Sequence, residues 1–320
     1  MCYNYLAIFL SVFDFGGSDL EYNTKSAFVA IVGRPNVGKS SLLNALLGQK
    51  IAIVSPRPQT TRTRIMGVLT EDNVQLVFTD TPGLHKPRTK LGEAMVKAVD
   101  DGISGGDMCV LVTEEKGEIS PAEMQLIEQF ARMHLPAILV INKTDRLKNK
   151  EIIAERIAAF SALYDFSAIV PISALTGDGL DELKKELFEA AEEGPHFFPD
   201  DTLTDQPERV IVSELIRESA LSFLSDEVPH GIAVDIESMK DRPSGEIIDI
   251  TATIYCERDS HKGIIIGKKG AMLKKIGSSA RNSAQNFLGC QVNLQLWVKV
   301  REDWRNKAGS LRMFGLDSAE

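Results

Sequence analysis

A glycine-rich segment near the start of the chain has the residue types and spacing of a phosphate-binding loop. Residues Gly33–Ser40 read Gly-Arg-Pro-Asn-Val-Gly-Lys-Ser and follow an apolar run, Phe28–Val32, typical of a buried strand. In such loops the backbone N–H groups and the N-terminus of the following helix surround phosphate groups. Lys39 is placed to reach the β- and γ-phosphates, and Ser40 is placed to bind Mg²⁺. The segment predicts a nucleoside-triphosphate site with magnesium.

A second motif is expected to approach the same metal. The segment from Asp80 to Gly83 reads Asp-Thr-Pro-Gly and ends the predicted strand Val74–Thr79. Its carboxylate can hold Mg²⁺ through water, and the Gly83 N–H can respond to the γ-phosphate. Segments of this kind become ordered by GTP and are released after hydrolysis.

The loop Gln59–Arg62 is expected to supply a further metal ligand. A threonine in this position commonly closes over Mg²⁺ in the triphosphate state. We favour Thr61 over Thr60, and the sequence leaves both open.

The segment Asn142–Asp145, which reads Asn-Lys-Thr-Asp, predicts the base. The Asp145 carboxylate can accept from guanine N1–H and the 2-amino group together, a donor pair that adenine lacks. Such a site rejects the wrong base because its polar groups would be left unpaired. Ser173 and Ala174 follow the next predicted strand, where backbone N–H groups can meet the guanine carbonyl oxygen. The order of these motifs predicts GTP rather than ATP.

The residue that would orient the attacking water is not evident. Many GTPases place a glutamine directly after the Asp-x-x-Gly glycine, whereas this chain has Leu84. Leucine cannot hydrogen-bond water, so intrinsic hydrolysis is expected to be slow or to use another group. One hypothesis is that the Asn36 side chain helps to bind K⁺ near the phosphates; the alternative is a plain loop residue.

The predicted site comprises three overlapping sets. The nucleotide-binding set is Gly33, Arg34, Pro35, Asn36, Val37, Gly38, Lys39, Ser40, Ser41, Asp80, Thr81, Pro82, Gly83, Leu84, Asn142, Lys143, Thr144, Asp145, Ser173 and Ala174. The catalytic set is Lys39, Thr61, Asp80, Gly83 and Asn36, and the metal ligands are Ser40, Thr61 and Asp80.

A second glycine-rich turn lies in the C-terminal part of the chain and predicts RNA binding. Residues Gly263–Gly270 read Gly-Ile-Ile-Ile-Gly-Lys-Lys-Gly between two predicted helices. A Gly-x-x-Gly turn lets the chain approach a nucleic-acid backbone closely, and unpaired bases are its natural ligand. The predicted contacts are Ile264, Ile265, Ile266, Gly267, Lys268, Lys269, Gly270, Lys274, Lys275 and Arg281. The alternative is a solvated basic helix with a glycine corner.

The distribution of charge supports a local polyanion site. The whole chain carries a net charge of −9, yet Lys262–Arg312 contains eleven basic residues against Glu302 and Asp303. Trp297 in this segment could stack on a base or cover a helix. The four cysteines are scattered without paired spacing, which argues against a disulfide framework or a zinc site.

The order of predicted elements divides the chain into two domains. Strands and helices alternate over 25–193, which predicts an α/β domain with a mostly parallel sheet. Residues 194–207 are proline- and aspartate-rich and predict a linker. An α-β-β-α-α-β order over 208–320, ending in a tail, predicts a small α+β domain. Residues 1–24 form a poorly defined extension, either a non-native segment or a weak membrane contact.

These motifs together resemble those of the Era family of bacterial GTPases. The resemblance runs from Lys25 almost to the C-terminus and includes Asp80–Pro87, Pro171–Ala174, Glu227–His230 and Leu296–Val300. It implies a Ras-like P-loop G domain followed by a type II KH domain. It further implies Mg²⁺-dependent GTP hydrolysis and nucleotide-dependent binding near the 3′ end of small-subunit rRNA, during maturation of the small ribosomal subunit precursor. Residues 1–24 depart from the family pattern.

The resemblance also implies a cytoplasmic protein with a peripherally membrane-associated fraction. We expect a monomer, because each domain looks self-sufficient. The competing hypothesis is a GTP-gated module that binds messenger RNA or another transcript. An ATP-using metabolic enzyme is disfavoured by Asn142–Asp145, and a factor with two G domains by the single P-loop.

Overall fold

The computed structural model describes residues 23–316 except 56, 58–59, 85–86, 88, 148, 150, 226–227 and 244. The predicted extension therefore lies almost wholly outside the described residues, as do Gln59 of the metal-binding loop and His85, Lys86 and Glu227 of the family motifs. Within the described part of the chain, no helix is long and apolar enough to cross a membrane.

The first domain is a sheet with helices on both faces, as predicted. Its strands are β1 (Lys25–Gly33), β2 (Ile65–Glu71), β3 (Val74–Asp80), β4 (Met108–Glu114), β5 (Ala137–Asn142), β6 (Ala168–Pro171) and β7 (Glu192–Glu193). Its helices are α1 (Lys39–Leu47), α2 (Lys90–Ser104), α3 (Pro121–Met133), α4 (Glu151–Ser161) and α5 (Leu180–Glu189). The strand order β2-β3-β1-β4-β5-β6 is parallel except for β2 against β3, while β7 pairs antiparallel with β1.

Two apolar layers hold the helices against this sheet. One layer packs α1 and α5 against one face, with Leu43, Phe78 and Leu187 fully buried. The other packs α2, α3 and α4 against the opposite face, around Phe130 and Phe160. Burial on both faces explains why the central strands read as continuous apolar runs in the sequence. The carboxyl ends of β1, β3 and β5 consequently meet at one edge of the sheet.

Local signals fix the start of α3 and the end of α1. A capping box begins α3: the Ser120 hydroxyl accepts from the Glu123 N–H at 3.3 Å, and Glu123 accepts from the Ser120 N–H at 2.7 Å. At the other end of α1, Gly48 adopts a left-handed conformation with φ of 66°, as expected for a terminating glycine.

The linker predicted over 194–207 is not a free segment. Its Phe197 and Phe198 N–H groups donate to the Gln75 side chain at 2.8 and 3.0 Å. The Val68 N–H of edge strand β2 donates to the Leu203 carbonyl at 2.9 Å, and the Thr204 hydroxyl donates to the Met66 carbonyl at 2.5 Å. The segment therefore runs along the edge of the first sheet.

The second domain has the predicted α-β-β-α-α-β order. Its elements are α6 (Glu208–Phe223), β8 (Ala233–Asp241), β9 (Ile247–Cys256), α7 (Asp259–Ile266), α8 (Ala271–Leu288) and β10 (Gln291–Val300), followed by α9 (Ala308–Met313). The sheet order is β10-β9-β8, with β10 parallel and β8 antiparallel to β9. Alternate residues of β10 join the core under the helices, as its period-two pattern predicts.

The C-terminal tail helps to join the two domains. Trp304 is fully buried and packs with Tyr255 and Leu311 against Leu91 and Met95 of α2. Its indole N–H donates to the Gly231 carbonyl at 2.9 Å. The sequence did not predict this packing, because tertiary contacts of a short tail leave no periodic signal.

Candidate functional site

The phosphate-binding loop connects β1 to α1 at the carboxyl edge of the sheet. Gly33 and Gly38 have φ of 146° and 103°, and a Cβ on Gly38 would lie 2.2 Å from the Asn142 amide nitrogen. Glycine is therefore required there both for conformation and for space. The Lys39 ammonium bridges the Gly33 and Arg34 carbonyls, each at 3.0 Å, and so lies across the loop.

Burial changes the acid–base behaviour of that lysine. Lys39 is 6% exposed, and burial lowers its pKa to about 8, an effect that the nearby Asp80 carboxylate opposes. An anion beside a buried ammonium favours its charged form. The position thus suits a residue that contacts phosphate oxygens.

Three oxygen-bearing side chains from three different elements meet beside Lys39. The Ser40 hydroxyl lies 2.6 Å from Asp80 Oδ2 and 2.9 Å from the Thr61 hydroxyl, and Thr61 lies 3.3 Å from Asp80 Oδ2. The Thr60 hydroxyl instead donates to the Arg57 carbonyl at 2.6 Å. Of the two threonines left open by the sequence, the geometry favours Thr61.

The same three side chains fit a magnesium ion. Magnesium prefers oxygen ligands and is held in such sites by few protein groups together with phosphates. Asp80 is fully buried, and its Oδ1 has no hydrogen-bond partner among the described residues. Burial raises the pKa of Asp80, although Lys39 and the Ser40 hydroxyl oppose the shift. A cation at this point would compensate the buried carboxylate.

The Asp80–Gly83 segment lies directly on the phosphate loop. A Cβ on Gly83 would be 2.6 Å from the Pro35 nitrogen, so only glycine permits this approach. The Thr81 hydroxyl donates to the Ile31 carbonyl at 2.9 Å. Leu84 packs against the core on the α3 side of the sheet. Its side chain serves packing, which agrees with its inability to position water.

Asn142 ties the base-recognition segment to the phosphate loop. Its amide donates to the Val37 carbonyl at 2.9 Å, and its oxygen accepts from the N–H groups of Lys143 and Ala174 at 2.8 and 3.0 Å. The Lys143 ammonium reaches the Asn36 carbonyl at 2.6 Å and pairs with Glu114. One side chain therefore links three loops.

The predicted base-binding residues are adjacent in space. The Ser173 hydroxyl donates to Asp145 at 2.7 Å, which orients the exposed carboxylate. The predicted guanine donors are already engaged: the Ser173 N–H donates to the Asp178 carbonyl at 2.9 Å, and the Ala174 N–H to Asn142. Contact of these N–H groups with guanine stays a prediction. For Ala174 it would require the backbone N–H to be shared between Asn142 and the base.

These loops surround a cavity of about 470 Å³. Its lining includes the predicted Lys39, Thr61, Asp145 and Ala174. The wall also contains residues that the sequence did not single out, namely Ile53, Val54, Ser55, Arg146 and Leu175. The Arg34 side chain points elsewhere, since its guanidinium lies 3.5 Å from Glu123 of α3. Only the backbone of Arg34 therefore remains available to the nucleotide.

The second glycine-rich turn joins α7 to α8 at residues 267–270. Gly267 has φ of 70°, and a Cβ there would lie 2.6 Å from Cβ of Met272. Lys268 and Lys269 are exposed at the tip, and Lys269 takes a left-handed φ of 51°. The turn thus presents two ammonium groups beside an accessible backbone, as the predicted clamp requires.

One predicted RNA contact is wrong. Ile265 is fully buried in the core of the second domain and cannot touch a ligand, because α7 packs this face against the sheet. Its neighbour Ile264 is 50% exposed and remains available. Lys274, Lys275 and Arg281 are exposed along α8, although Lys275 also lies over the Phe223 ring at 4.3 Å.

Trp297 lies on the sheet face opposite the helices and is 58% exposed. The alternative in which it covers a helix is therefore excluded within the described part of the chain. Lys299 on the same face pairs with Glu237 at 2.9 Å. Base stacking on Trp297 stays a prediction.

The metal-binding loop also holds the second domain, which the sequence did not reveal. The Arg62 guanidinium donates to the Ile232 and His230 carbonyls at 2.5 and 3.1 Å and lies 5.5 Å from the Trp304 ring centre. The Thr60 carbonyl accepts from Arg217 of α6. The residues directly before and after Thr61, Thr60 and Arg62, are thus both hydrogen-bonded to the second domain.

Further contacts extend this attachment. Glu218 of α6 pairs with Lys50 at 2.5 Å and accepts from the Val54 N–H at 2.9 Å. The Arg57 guanidinium donates to the Leu221 carbonyl at 2.8 Å. No sequence signal marks these pairs, because their members are far apart in the chain.

Known proteins match both domains and their order. Residues 28–143 match a family model described as "50S ribosome-binding GTPase", and residues 227–305 match a KH domain model. GTPase Era of Clostridioides difficile (strain 630) is 53% identical over 291 residues, covering 91% of this chain and 98% of the relative. GTPase Era of Alkaliphilus metalliredigens (strain QYMF) is 49% identical over 293 residues, covering 92% and 99%.

Solved structures agree with the sequence matches. A crystal structure of Era in complex with MgGDPNP and nucleotides 1506–1542 of 16S ribosomal RNA is 39% identical, with a TM-score of 0.88 over 92% of this chain and all of that chain. An Aquifex aeolicus Era variant bound to GDP and AlF4⁻ has the same identity, TM-score and coverage. The similarity therefore spans both domains together.

Proposed function

Because this chain belongs to the Era family of GTPases, we propose that it is a GTP-operated switch that binds the 3′ region of small-subunit rRNA and acts in maturation of the small ribosomal subunit. The chain is a GTPase with a C-terminal KH domain. The observation that carries the proposal is the position of Thr61. Its hydroxyl belongs to the metal site, and its chain neighbours Thr60 and Arg62 are both bonded to the KH domain.

Thr60, Thr61 and Arg62 are consecutive residues, so the metal ligand is joined directly along the chain to the two groups that hold the KH domain. A segment that follows the γ-phosphate through Thr61 must also move the Thr60 carbonyl and the Arg62 guanidinium. Both groups are bonded to the KH domain. Nucleotide exchange would therefore change the contacts that orient the RNA-binding domain, which is a coupling between two distinct sites.

Magnesium would be held by Ser40, Thr61 and Asp80, and it would neutralise charge on the phosphates when bound. Lys39 contributes a fixed positive charge at the same place. The Asp80 carboxylate orients the Ser40 hydroxyl through their 2.6 Å contact. Guanine selection is assigned to Asp145, which Ser173 positions.

Hydrolysis lacks a glutamine at Leu84, and we propose potassium as its substitute. Asn36 is exposed at the cavity wall and takes a left-handed φ of 65°. Its side-chain oxygen would help to hold K⁺ beside the phosphates. Equal hydrolysis rates in potassium and sodium buffers at fixed ionic strength would exclude this role.

The central test compares RNA affinity in two nucleotide states. A fluorescent oligonucleotide with the 3′-terminal small-subunit rRNA sequence is titrated at fixed salt against protein saturated with MgGDPNP or with MgGDP. Tighter binding with GDPNP is expected. Equal affinity would separate the two activities, and no binding in either state would favour the transcript-binding alternative.

Two further expectations concern the state and location of the protein. We propose a monomer, because each domain looks self-sufficient, and a cytoplasmic location with a peripherally membrane-associated fraction, which rests on the family resemblance alone. Sedimentation at several concentrations tests the first part. Flotation with anionic-lipid vesicles tests the second, and its failure would remove the membrane from the proposal.

A further inference from the structure

A second and larger cavity, of about 740 Å³, lies between the two domains. Its walls come from α2 of the G domain, the start of α6, strand β8 and the C-terminal residues. It is separate from the nucleotide cavity, and of the residues lining the nucleotide cavity it includes none. Five arginines line it: Arg62, Arg64, Arg209, Arg217 and Arg312.

Carboxylates compensate only part of this positive charge. The acidic residues of the lining are Asp101, Glu214 and Asp235, so arginines exceed them by five to three. Glu214 is already engaged by Arg217 at 2.5 and 2.8 Å. The cavity wall therefore carries an excess of guanidinium groups.

The two innermost arginines are deeply buried. Arg62 is 5% exposed and Arg217 is 1% exposed. Arg62 Nε and Arg217 Nη1 have no hydrogen-bond partner among the described residues. Burial and the charge of Arg217 lower the pKa of Arg62 to about 9, although the carboxylates of Glu214 and Glu257 oppose this shift. Like charges buried together are costly unless an opposite charge lies near.

The start of α6 adds to the positive potential. Gln206 and Arg209 line the cavity on either side of Pro207, where α6 begins without a side-chain cap. The first turn of this 16-residue helix directs its partial positive charge toward the same space. Arg62, Arg209 and Arg217 already donate to carbonyls or to Glu214. Arg64 is exposed and bonds to none of the described residues, so its guanidinium fork is available for two parallel hydrogen bonds to a phosphate group.

From this arrangement we propose that the interdomain cavity binds a phosphate group, which contacts both the G domain and the KH domain. The phosphate would come either from a small polyphosphate anion or from the backbone of a bound RNA. Because Arg62 and Arg64 belong to the loop that follows the metal ligand Thr61, a ligand here would also stabilise one arrangement of the two domains.

Arg64 is the best residue for testing the cavity. Its side chain is exposed, and it makes no ion pair or hydrogen bond with the described residues, so its replacement should leave the fold intact. Arg132, exposed on α3 and outside the cavity lining, supplies a control with the same change of charge. Wild type, Arg64→Glu and Arg132→Glu are first saturated with MgGDPNP, so that the P-loop is occupied and its integrity is measured.

Inorganic pyrophosphate is then titrated calorimetrically into each loaded protein. Binding to wild type and to Arg132→Glu is expected, with affinity about tenfold lower in Arg64→Glu because a charge-assisted contact is lost and reversed. In a second arm the 3′-terminal rRNA oligonucleotide replaces pyrophosphate. If Arg64→Glu fails to bind GDPNP, Arg64→Gln takes its place.

The two arms identify the source of the phosphate. Loss of pyrophosphate binding with normal RNA affinity assigns the cavity to a small anion. A loss of RNA affinity in Arg64→Glu, larger than in Arg132→Glu, assigns it to the RNA backbone. No pyrophosphate binding by wild type, together with equal RNA affinities of the two variants, overturns the proposal. Failure of wild type to bind RNA at all would count against the proposed function, while the pyrophosphate arm still tests the cavity.

Discussion

Replacement of Arg62 by methionine should separate nucleotide state from RNA affinity. Arg62 follows the metal ligand Thr61 directly and bonds to two carbonyls of the KH domain, those of Ile232 and His230. Methionine is an apolar side chain of similar reach that cannot donate, and it also lacks the guanidinium that lies 5.5 Å from the Trp304 ring centre. The variant therefore removes the polar tether and keeps an apolar side chain in its place.

The size of the effect follows from the contacts. Each hydrogen bond from a charged donor contributes about 1.5–3 kcal/mol, and both carbonyls lose their partner. Removal of a buried guanidinium beside Arg217 returns part of that energy, because the like charges no longer oppose one another. The net loss of interdomain coupling is roughly 2–4 kcal/mol, comparable to the 1–3 kcal/mol typical of coupled binding sites.

The assay is the ratio of RNA affinities measured with MgGDPNP and with MgGDP. In wild type this ratio should favour GDPNP by about 5- to 150-fold, which is what a coupling of 1–3 kcal/mol gives, and in Arg62→Met it should fall to about one. GDPNP affinity itself should change little, since Arg62 does not line the nucleotide cavity. Arg132→Met serves as the control. A wild-type ratio in Arg62→Met would refute the idea that this loop transmits the nucleotide state.

Four other outcomes are expected. Lys39→Ala should abolish GTP turnover, because it removes the buried ammonium that bridges the Gly33 and Arg34 carbonyls beside the metal-site oxygens; normal turnover would contradict the phosphate assignment. Thr61→Ala should raise the Mg²⁺ concentration needed for hydrolysis far more than Thr60→Ala, and equal effects would contradict the ligand choice. Alanine at both Lys268 and Lys269 should weaken RNA binding and reduce the salt slope by roughly 0.7 per lost single-strand phosphate contact, with GDPNP binding unchanged. In the folded protein the pKa of Lys39 is lowered from 10.5 to about 8, so between these pH values the unfolded state binds more protons than the folded state. The free energy of unfolding of nucleotide-free wild type should therefore rise from pH 8 to 10.5 relative to that of Lys39→Met. Denaturant titrations of both proteins at the two pH values measure this, and a stability difference that does not change with pH would contradict the reasoning.

Much of the fold could be predicted because its signals are local. The alternation of strands and helices predicted over 25–193 and the α-β-β-α-α-β order predicted over 208–320 are both present. The alternation of apolar residues in β10 and the Ser-x-x-Glu capping box of Ser120 and Glu123 are signals of the same kind. Each of these signals is contained within a short stretch of sequence.

The sequence does not predict features that tertiary packing decides. Ile265 belongs to an apolar run in which neighbouring positions look equivalent, and only the orientation of α7 sends it into the core while Ile264 stays exposed. The segment 194–207 has the composition of a free linker, yet Gln75 and the open edge of β2 bind it. The composition of such a segment indicates how flexible it is in isolation, but not which residues it packs against in the folded protein.

The site shows the same division. The motif residues are recognisable because phosphate and base chemistry demands particular side chains at fixed spacing. Arg62 and Arg217 carry no such requirement, since many residue pairs could join two domains. Their role depends on contacts between positions far apart in the chain. The bond from Arg62 to Ile232 spans 170 residues, and the bond from Arg217 to Thr60 spans 157.

The attachment of the linker to the first sheet limits how the KH domain can travel. Leu203 and Thr204 are bonded to β2, and α6 begins at Glu208. Only residues 205–207 lie between these points, and the four steps from Thr204 to Glu208 reach roughly 14 Å when fully extended. While the linker stays bound to β2, the RNA-binding domain can turn about this short connection but cannot move far from the G domain. We therefore expect any nucleotide-driven movement of this domain to stay within that reach, so that bound RNA remains near the nucleotide site.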